Sequence, residues 1–395
     1  MKEKFVPEVY EPQEDSFLLK KYVRNYAKGL VLDVGTGSGI QAIAAAQHAQ
    51  KVVAVDINDN ALVFAQSQAS AEKVRNVEFR KSDLFSKVKE KFDLIIFNPP
   101  YLPFDEKEPD DIRLATTGGK EGCELLIKFL EQAIEHLNTD GVILTLFSSL
   151  SNKTRIDYAI AENCFAYKEL DCMRFSFETI YIYLIQKSKL RKELEENNVQ
   201  NIKKLAKGHR GIIYTGVWQG KKIAAKSKLP GSMAMGNIER EAGWLRTLNR
   251  FGIGPKLLYS EHGYFVYKFV EGKFINDFIE KEKGKTKIRS VIKKVFEQCF
   301  VMDEHNVNKE EMHHPYKHII VNGAKVTLID FERANHTDKP HNITQFCQAI
   351  MNGRIGENLR KKGFKINRKK MINLAREYSK QNTKENLNAI LNELK

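Results

Sequence analysis

Cysteine is scarce and unpatterned. Cys123, Cys164, Cys172, Cys299 and Cys347 are scattered over 395 positions with no Cys-x-x-Cys spacing. That argues against a disulfide framework or a cysteine-built zinc site and leaves reduced thiols, the usage expected in the cytoplasm. No apolar run approaches the ~20 residues needed to cross a bilayer, and the opening "MKEKFVPEVYEP" lacks the apolar stretch of a secretory leader. No membrane partner is expected. Internal repeats and low-complexity tracts are also missing.

What is present is a chain too long for one ordinary core, which points to two domains, and an uneven charge. Residues 1–188 carry 23 Lys+Arg against 28 Asp+Glu, or −5, whereas residues 189–395 carry 41 against 22, or +19. Such asymmetry points to a polyanion, most simply nucleic acid, as the partner of the second half. A solvated lysine-rich surface is the plain alternative, although a general lysine bias would raise both halves together.

From 30 to 187, short apolar runs ("LVLDVG", "KVVAVD", "VEFRKSD", "FDLIIFN", "GVILTLF", "TIYIYLIQK") alternate with helix-like stretches ("GIQAIAAAQHAQ", "NALVFAQSQASAEK", "CELLIKFLEQAIEHLN"). The alternation predicts an α/β domain, residues 1–188, with a mostly parallel, Rossmann-like sheet covered on both faces. The charged segment "KSKLRKELEENNVQNIKKLAKG" has no strand signal, and residues 189–200 read as a helical linker. Beyond it, residues 201–395 place strands first and helices later, a small α+β domain with a basic helical tail around "RKKGFKINRKK".

Two constellations carry chemistry. In the first, "LVLDVGTGSG" sets Asp33, Gly35, Gly37 and Gly39 at a strand-to-helix turn, where glycines allow close backbone approach to a ligand. Alone this fits a dinucleotide or S-adenosylmethionine. Asp56 ends the second strand, where a carboxylate can accept two ribose hydroxyls, and Asp83 lies near the end of the third, where it can meet an adenine edge. The fourth strand runs into Asn98-Pro99-Pro100-Tyr101, a stiff turn that packing alone does not require. There the Asn98 side-chain oxygen and the Pro99 carbonyl can each accept one hydrogen of a planar NH₂, and Tyr101 can cover it.

Residues 1–187 resemble the HemK/PrmC family of N5-glutamine methyltransferases, through "VYEPQEDSFLL", "VLDVGTGSG", "DIN", "SDLF", "FNPPY" and "GGKEG". The short stretch ahead of "EPQEDS" is similar to the archaeal and eukaryotic branch. The resemblance implies an S-adenosyl-L-methionine cofactor held by Asp33, Gly35 and Asp56 with Asp83 at its adenine, and a target amide held by Asn-Pro-Pro-Tyr. It also implies a release-factor glutamine as acceptor and, for the short branch, a small zinc-binding activator subunit. Asn-Pro-Pro-Tyr is shared with adenine N6-methyltransferases, so adenine stays open as acceptor.

In the second constellation, glycines 208, 211 and 216 lie between β-like segments ahead of Lys226. A glycine-rich hairpin can fold over ATP phosphates while the lysine pairs with them. Glu241, on a helix, can pair with that lysine, and Asp330, after an apolar strand, can hold Mg²⁺. This region resembles RIO-like and related small archaeal kinases, those with "KHIIV" before "IDFE", some of which act on tRNA. The departures are specific. There is no His-Arg-Asp triplet, Glu311 being the nearest acidic candidate base; His318 stands where an asparagine metal ligand is expected; and Glu332 replaces the glycine after Asp-Phe. The activation segment that docks peptides is missing, which favours tRNA over protein as phosphate acceptor. A catalytically dead RNA- or ribosome-binding module is the competing reading, and His313 and His314 read equally as phosphate contacts or as surface residues.

Overall fold

Aliphatic runs that stop at a polar residue build the first sheet. The computed structural model describes residues 11–109, 113, 116–208, 211–229 and 237–394, in two units, one up to Asn198 and one from Val199. In the first unit, β1 (Leu30–Val34), β2 (Lys51–Asp56), β3 (Val77–Lys81) and β4 (Phe92–Phe97) lie parallel, in the order β3-β2-β1-β4. The two-residue strands β5 (Leu102–Pro103) and β6 (Thr117–Gly119) pair apart from this sheet. The main sheet continues with β7 (Leu137–Ser148), parallel to β4, and ends with β9 (Thr179–Lys187) antiparallel between β7 and β8 (Phe165–Arg174).

Because side chains alternate across a strand, the sheet feeds two cores. Val31, Val52, Leu94 and Ile96 pack with Leu19 and Val23 of α1 (Glu14–Tyr26) and with the alanines of α2 (Ile40–Ala46). Leu32, Val53 and Ile95 pack with Phe129 and Leu130 of α4 (Glu124–Ala133) and with Ile156 and Ile160 of α5 (Lys153–Glu162). Helix α3 (Asp59–Ala71) buries Ala61, Ala65 and Ala69.

The segment 189–200, read as a linker, divides. Its first part is α6 (Lys189–Glu196), an amphipathic helix that buries Leu190 and Leu194 within the first unit. Glu195 accepts from Lys187 at 2.8 Å and Arg191 at 2.6 Å. The rest enters β10 (Gln200–Lys207), a strand of the second unit. It gave no apolar signal because it is an exposed edge strand rich in lysine, a composition that guards an unpaired edge.

The second unit opens with an antiparallel sheet in the order β10-β11-β12-β14-β13, comprising β11 (Gly211–Trp218), β12 (Lys221–Lys228), β13 (Leu257–Glu261) and β14 (Tyr264–Lys268). Helix α7 (Asn237–Leu248) connects β12 to β13. Then come β15 (Lys273–Phe274), α8 (Ile275–Lys281), α9 (Lys285–Glu304), β16 (Val307–Asn308), β17 (Ile319–Asn322), β18 (Lys325–Leu328) and β19 (Asn335–His336). Helices α10 (Asn342–Met351), α11 (Gly353–Lys361), α12 (Arg368–Lys380) and α13 (Lys384–Asn392) close the unit.

One buried carboxylate organises the helical part. Asp303 accepts from the Asn342 amide side chain at 2.7 Å and from the Tyr378 hydroxyl at 3.1 Å, and Asn342 accepts the backbone N–H of Lys309 at 2.8 Å. Burial pushes the Asp303 carboxyl up to about 6, against the pull of these donors.

Candidate active sites

In the first unit, a cavity of about 390 Å³ opens at the carboxyl edge of the parallel strands, the binding edge of doubly wound sheets. Asp33, Gly35, Gly37, Asp56, Asp83, Asn98, Pro99 and Tyr101 all line it; the helix entry at Gly39 frames the glycine turn. Gly35 and Gly39 take left-handed φ of 62° and 81°, and a Cβ on Gly39 would meet Ala65 at 2.9 Å. Glycine is therefore required there for backbone shape and for packing against α3.

Asp33 does not face the cavity as a free carboxylate. It is 1% exposed, and its Oδ2 accepts from the Thr36 hydroxyl at 2.7 Å and the Ala42 N–H at 3.0 Å, tying the glycine turn to α2. Burial raises its carboxyl to about 7, beyond what these two donors recover. Asp56 is also committed to the backbone, accepting from Gly37 N–H at 3.0 Å and Asn58 N–H at 2.9 Å, with lone pairs left for hydroxyl donors. Asp83 is more open and lies 3.4 Å from Lys128 across an exposed ion pair.

The Asn98 amide is held by one end. Its Nδ2 donates to Asp15 Oδ2 and to Ser16 Oγ, both at 3.3 Å, while its buried Oδ1 has no hydrogen-bond partner. The Tyr101 hydroxyl reaches the same Asp15 oxygen at 3.5 Å. Asp15 and Ser16 were not read as site residues. Their contact with Asn98 spans 83 positions in sequence, and the only local signal was the quoted "EDS" opening, of which Val9 and Tyr10 lie outside the described residues. Gln41, whose Nε2 donates to the Ser16 carbonyl at 2.8 Å, likewise keeps a buried Oε1 without a partner in this cavity.

The "GGKEG" stretch is explained by contact with the same turn. A Cβ on Gly118 would stand 2.5 Å from the Pro100 carbonyl oxygen, and one on Gly122 would stand 2.3 Å from that of Tyr101. Ser151 Oγ donates to the Tyr101 carbonyl at 2.6 Å. The cavity lies within the range of small-ligand pockets, about 300–1,000 Å³. The orphaned Gln41 acceptor, the Asp56 carboxylate and the glycine turn suit a cofactor with an ammonium end and a ribose, as S-adenosylmethionine has, and leave the Asn98 oxygen for a second ligand. That cofactor supplies an electrophilic methyl group when bound.

In the second unit, Lys226 Nζ lies 2.6 Å from Glu241 Oε2 and 3.4 Å from Asp330 Oδ1. Burial works against the Lys226 charge, but the two carboxylates outweigh it and hold the ammonium above the usual lysine range. Asp330 sits in the left-handed region, φ 63°, a conformation costly for aspartate. Although burial opposes its charge, Lys226 and Lys309 keep its carboxyl below the ordinary value. Gly208 N–H donates to the Gly211 carbonyl at 2.9 Å, closing the β10–β11 turn, and a Cβ on Gly211 would meet the Ser227 carbonyl oxygen at 2.8 Å.

His318 Nδ1 lies 3.8 Å from Asp330 Oδ2 and is buried without a hydrogen-bond partner. Burial and the nearby Lys309 ammonium lower its pKa and favour a neutral imidazole. Among these groups Asp330 offers the oxygen that Mg²⁺ prefers, and His318 offers a softer nitrogen. Lys309 escaped the sequence reading. It is fully buried, donates to the Asp330 carbonyl oxygen and pairs with Glu311 at 3.2 Å. Glu311 is therefore salt-bridged to a lysine on the same loop. His313 and His314 are exposed, His313 Nδ1 lying 2.8 Å from the Glu310 carbonyl oxygen.

The sheet order, glycine turn and polar strand ends of the first unit define a Rossmann-like SAM-dependent methyltransferase. Residues 13–168 match the family model described as "Methyltransferase small domain". The chain is 44% identical over 156 residues to the putative protein N5-glutamine methyltransferase MJ0928 of Methanocaldococcus jannaschii, covering 39% of this chain and 79% of that one. It is 38% identical over 125 residues to the release factor glutamine methyltransferase of Lactococcus lactis, covering 29% and 45%; the chain thus spans less than half the length of that relative. Among solved structures, the E. cuniculi Mtq2–Trm112 complex, responsible for the methylation of the eRF1 translation termination factor, aligns at 26% identity and TM-score 0.37 over 45% of this chain and 98% of that one. Through its first unit the chain belongs to the HemK/PrmC-type glutamine methyltransferases.

Proposed function

We propose that the first unit transfers the methyl group of S-adenosylmethionine to the side-chain nitrogen of a glutamine in a release factor. The observation that carries this reading is the Asn98 amide, with Nδ2 fixed by Asp15 and Ser16 and a buried Oδ1 left to accept one hydrogen of the target amide. The Pro99 carbonyl would accept the other, and Tyr101 would cover the planar group, so the nitrogen is oriented before it reacts. The names of the curated relatives support glutamine over adenine as acceptor, and the activator subunit of the short branch remains part of the proposal. The test incubates the chain, with and without such a subunit, with methyl-labelled cofactor and release factor and then maps the product. Methylated adenine in nucleic acid, with no methylglutamine, would overturn the acceptor. Full activity in Asn98→Ala would overturn the role given to the amide.

For the second unit, the proposal is a Mg²⁺- and ATP-dependent phosphotransferase acting on tRNA. The Lys226–Glu241–Asp330 cluster supports it, since the same three charges serve phosphate and metal binding in kinases. One observation favours the binding-module reading instead: Glu311, the candidate base, is paired with Lys309. Incubating the chain with γ-labelled ATP, Mg²⁺ and tRNA separates the two. Label in tRNA that disappears in Asp330→Ala supports transfer, label in protein moves the acceptor, and no label supports the binding module.

A further inference from the structure

Away from the Lys226–Glu241–Asp330 cluster, the second unit contains a cleft of about 1,010 Å³. It is lined by Lys221, Lys222, Arg246, Lys256, Lys268 and Lys325, with Glu271 as its one lining carboxylate. The five lysines are exposed, and none has a carboxylate partner among the described residues. Arg246 donates to Ser260 Oγ at 2.9 Å, and Lys222 Nζ stands 3.9 Å from the centre of the Phe269 ring. The wall between α7 and β13 is firmly built. Asn249 Nδ2 donates to the carbonyls of Ile253 at 3.0 Å and Pro255 at 2.9 Å, and its Oδ1 accepts from Leu257 N–H at 2.7 Å.

Unpaired like charges gathered in a concavity repel one another, so the arrangement costs stability unless an anion joins it. We infer that this cleft docks the phosphate backbone of a folded RNA, with Lys222, Lys256, Lys268 and Lys325 contacting phosphates. The choice of RNA rests on the tRNA reading of the second unit. The cleft itself argues for a long polyanion: its volume reaches the upper limit of small-ligand pockets, about 1,000 Å³, and it is recessed where a bilayer surface would need a flat or convex face. Lysines outnumber arginine five to one in the lining, and lysine acts as a point charge without the planar fork that reads base edges. Binding should therefore tolerate sequence and fall steeply with salt. Lys222 and Lys226 lie four positions apart on β12, hence on the same side of the strand and separated by roughly 13 Å of backbone. RNA seated in the cleft lies within a few nucleotides of the charge cluster.

The experiment measures binding of fluorescently labelled bulk tRNA to the full chain by anisotropy between 50 and 300 mM KCl. A variant combining Lys222→Ala, Lys256→Ala, Lys268→Ala and Lys325→Ala is expected to bind at least tenfold more weakly at 100 mM and to lower the log–log salt slope by about 3, with a thermal unfolding midpoint no lower than that of the unaltered chain, since repulsion is relieved. Asp330→Ala is expected to keep both affinity and slope, as is a tail variant with Lys361→Ala, Lys365→Ala and Lys369→Ala. The inference is overturned if the cleft variant keeps the slope, if the tail variant alone loses it, or if anionic vesicles or polyglutamate bind through the cleft and tRNA does not. Cleft-dependent tRNA binding without label transfer would sink the phosphotransferase reading and leave the cleft standing. Label transfer to tRNA undisturbed in the cleft variant would do the reverse.

Discussion

At Asn98 the work is shared with residues far away in sequence. Asp15 and Ser16 take both hydrogens of its amide, so the oxygen has one direction left to face. Asp15→Ala removes the charged acceptor, and a hydrogen bond to a charged group contributes about 1.5–3 kcal/mol. We expect methyl transfer to fall roughly tenfold or more with cofactor affinity little changed, measured as kcat against the dissociation constant from calorimetry. Asp33 gives a second prediction. Its carboxyl holds a proton up to about pH 7 in the folded unit but only to the ordinary aspartate value when unfolded. The folded state therefore binds more protons in between, and stability falls as pH rises from about 4 toward 7. In Asp33→Asn that part of the pH dependence of the urea midpoint should vanish, and an unchanged profile would refute the assignment.

Elements explain why the turns have the composition they do. Gly118 and Gly122 leave room for the carbonyls of Pro100 and Tyr101, so Gly122→Ala should displace the Asn-Pro-Pro-Tyr turn. The expected cost is about 1–3 kcal/mol, read as a lower melting temperature together with reduced methyl transfer. In the second unit, strand β12 and helix α7 are joined by the Lys226–Glu241 pair, whose side chains are 15% and 5% exposed. Lys226→Ala strands a buried carboxylate, and such losses run to about 3–5 kcal/mol. Adding Glu241→Gln should recover much of the midpoint in a double-mutant cycle; if it does not, the pair is not the coupling between these elements. The strands of the parallel sheet were readable because burial on both faces leaves unbroken aliphatic runs ending in Asp33, Asp56 and Asn98. β10 was not, since an exposed lysine-rich edge carries no apolar period. β8 also passed unrecognised: its half-buried sequence "FAYKELDCMR" mixes apolar and charged residues with no clean period of two. Lys309 was hidden because its role depends on Asp330, which the fold brings beside it across 21 positions.

For the whole molecule the division of charge, −5 over residues 1–188 and +19 over residues 189–395, predicts a division of behaviour. Added salt screens self-repulsion, so raising KCl from 50 to 500 mM should raise the unfolding midpoint of the second unit and leave that of the first nearly unchanged. Two transitions followed by hydrogen exchange of separate peptides would show this, and a uniform shift would contradict it. The strand order carries a consequence for synthesis. β9, made after every other strand of the first sheet, is an interior strand between β7 and β8. While the ribosome has still to release residues 179–187, β7 is an open edge with half of its ladder unmade. The methyltransferase site therefore has its own strands early and its sheet closed late, just before the charged edge of β10 follows from the exit tunnel. A force-sensing stall sequence moved along the gene should report tension rising only as β9 clears.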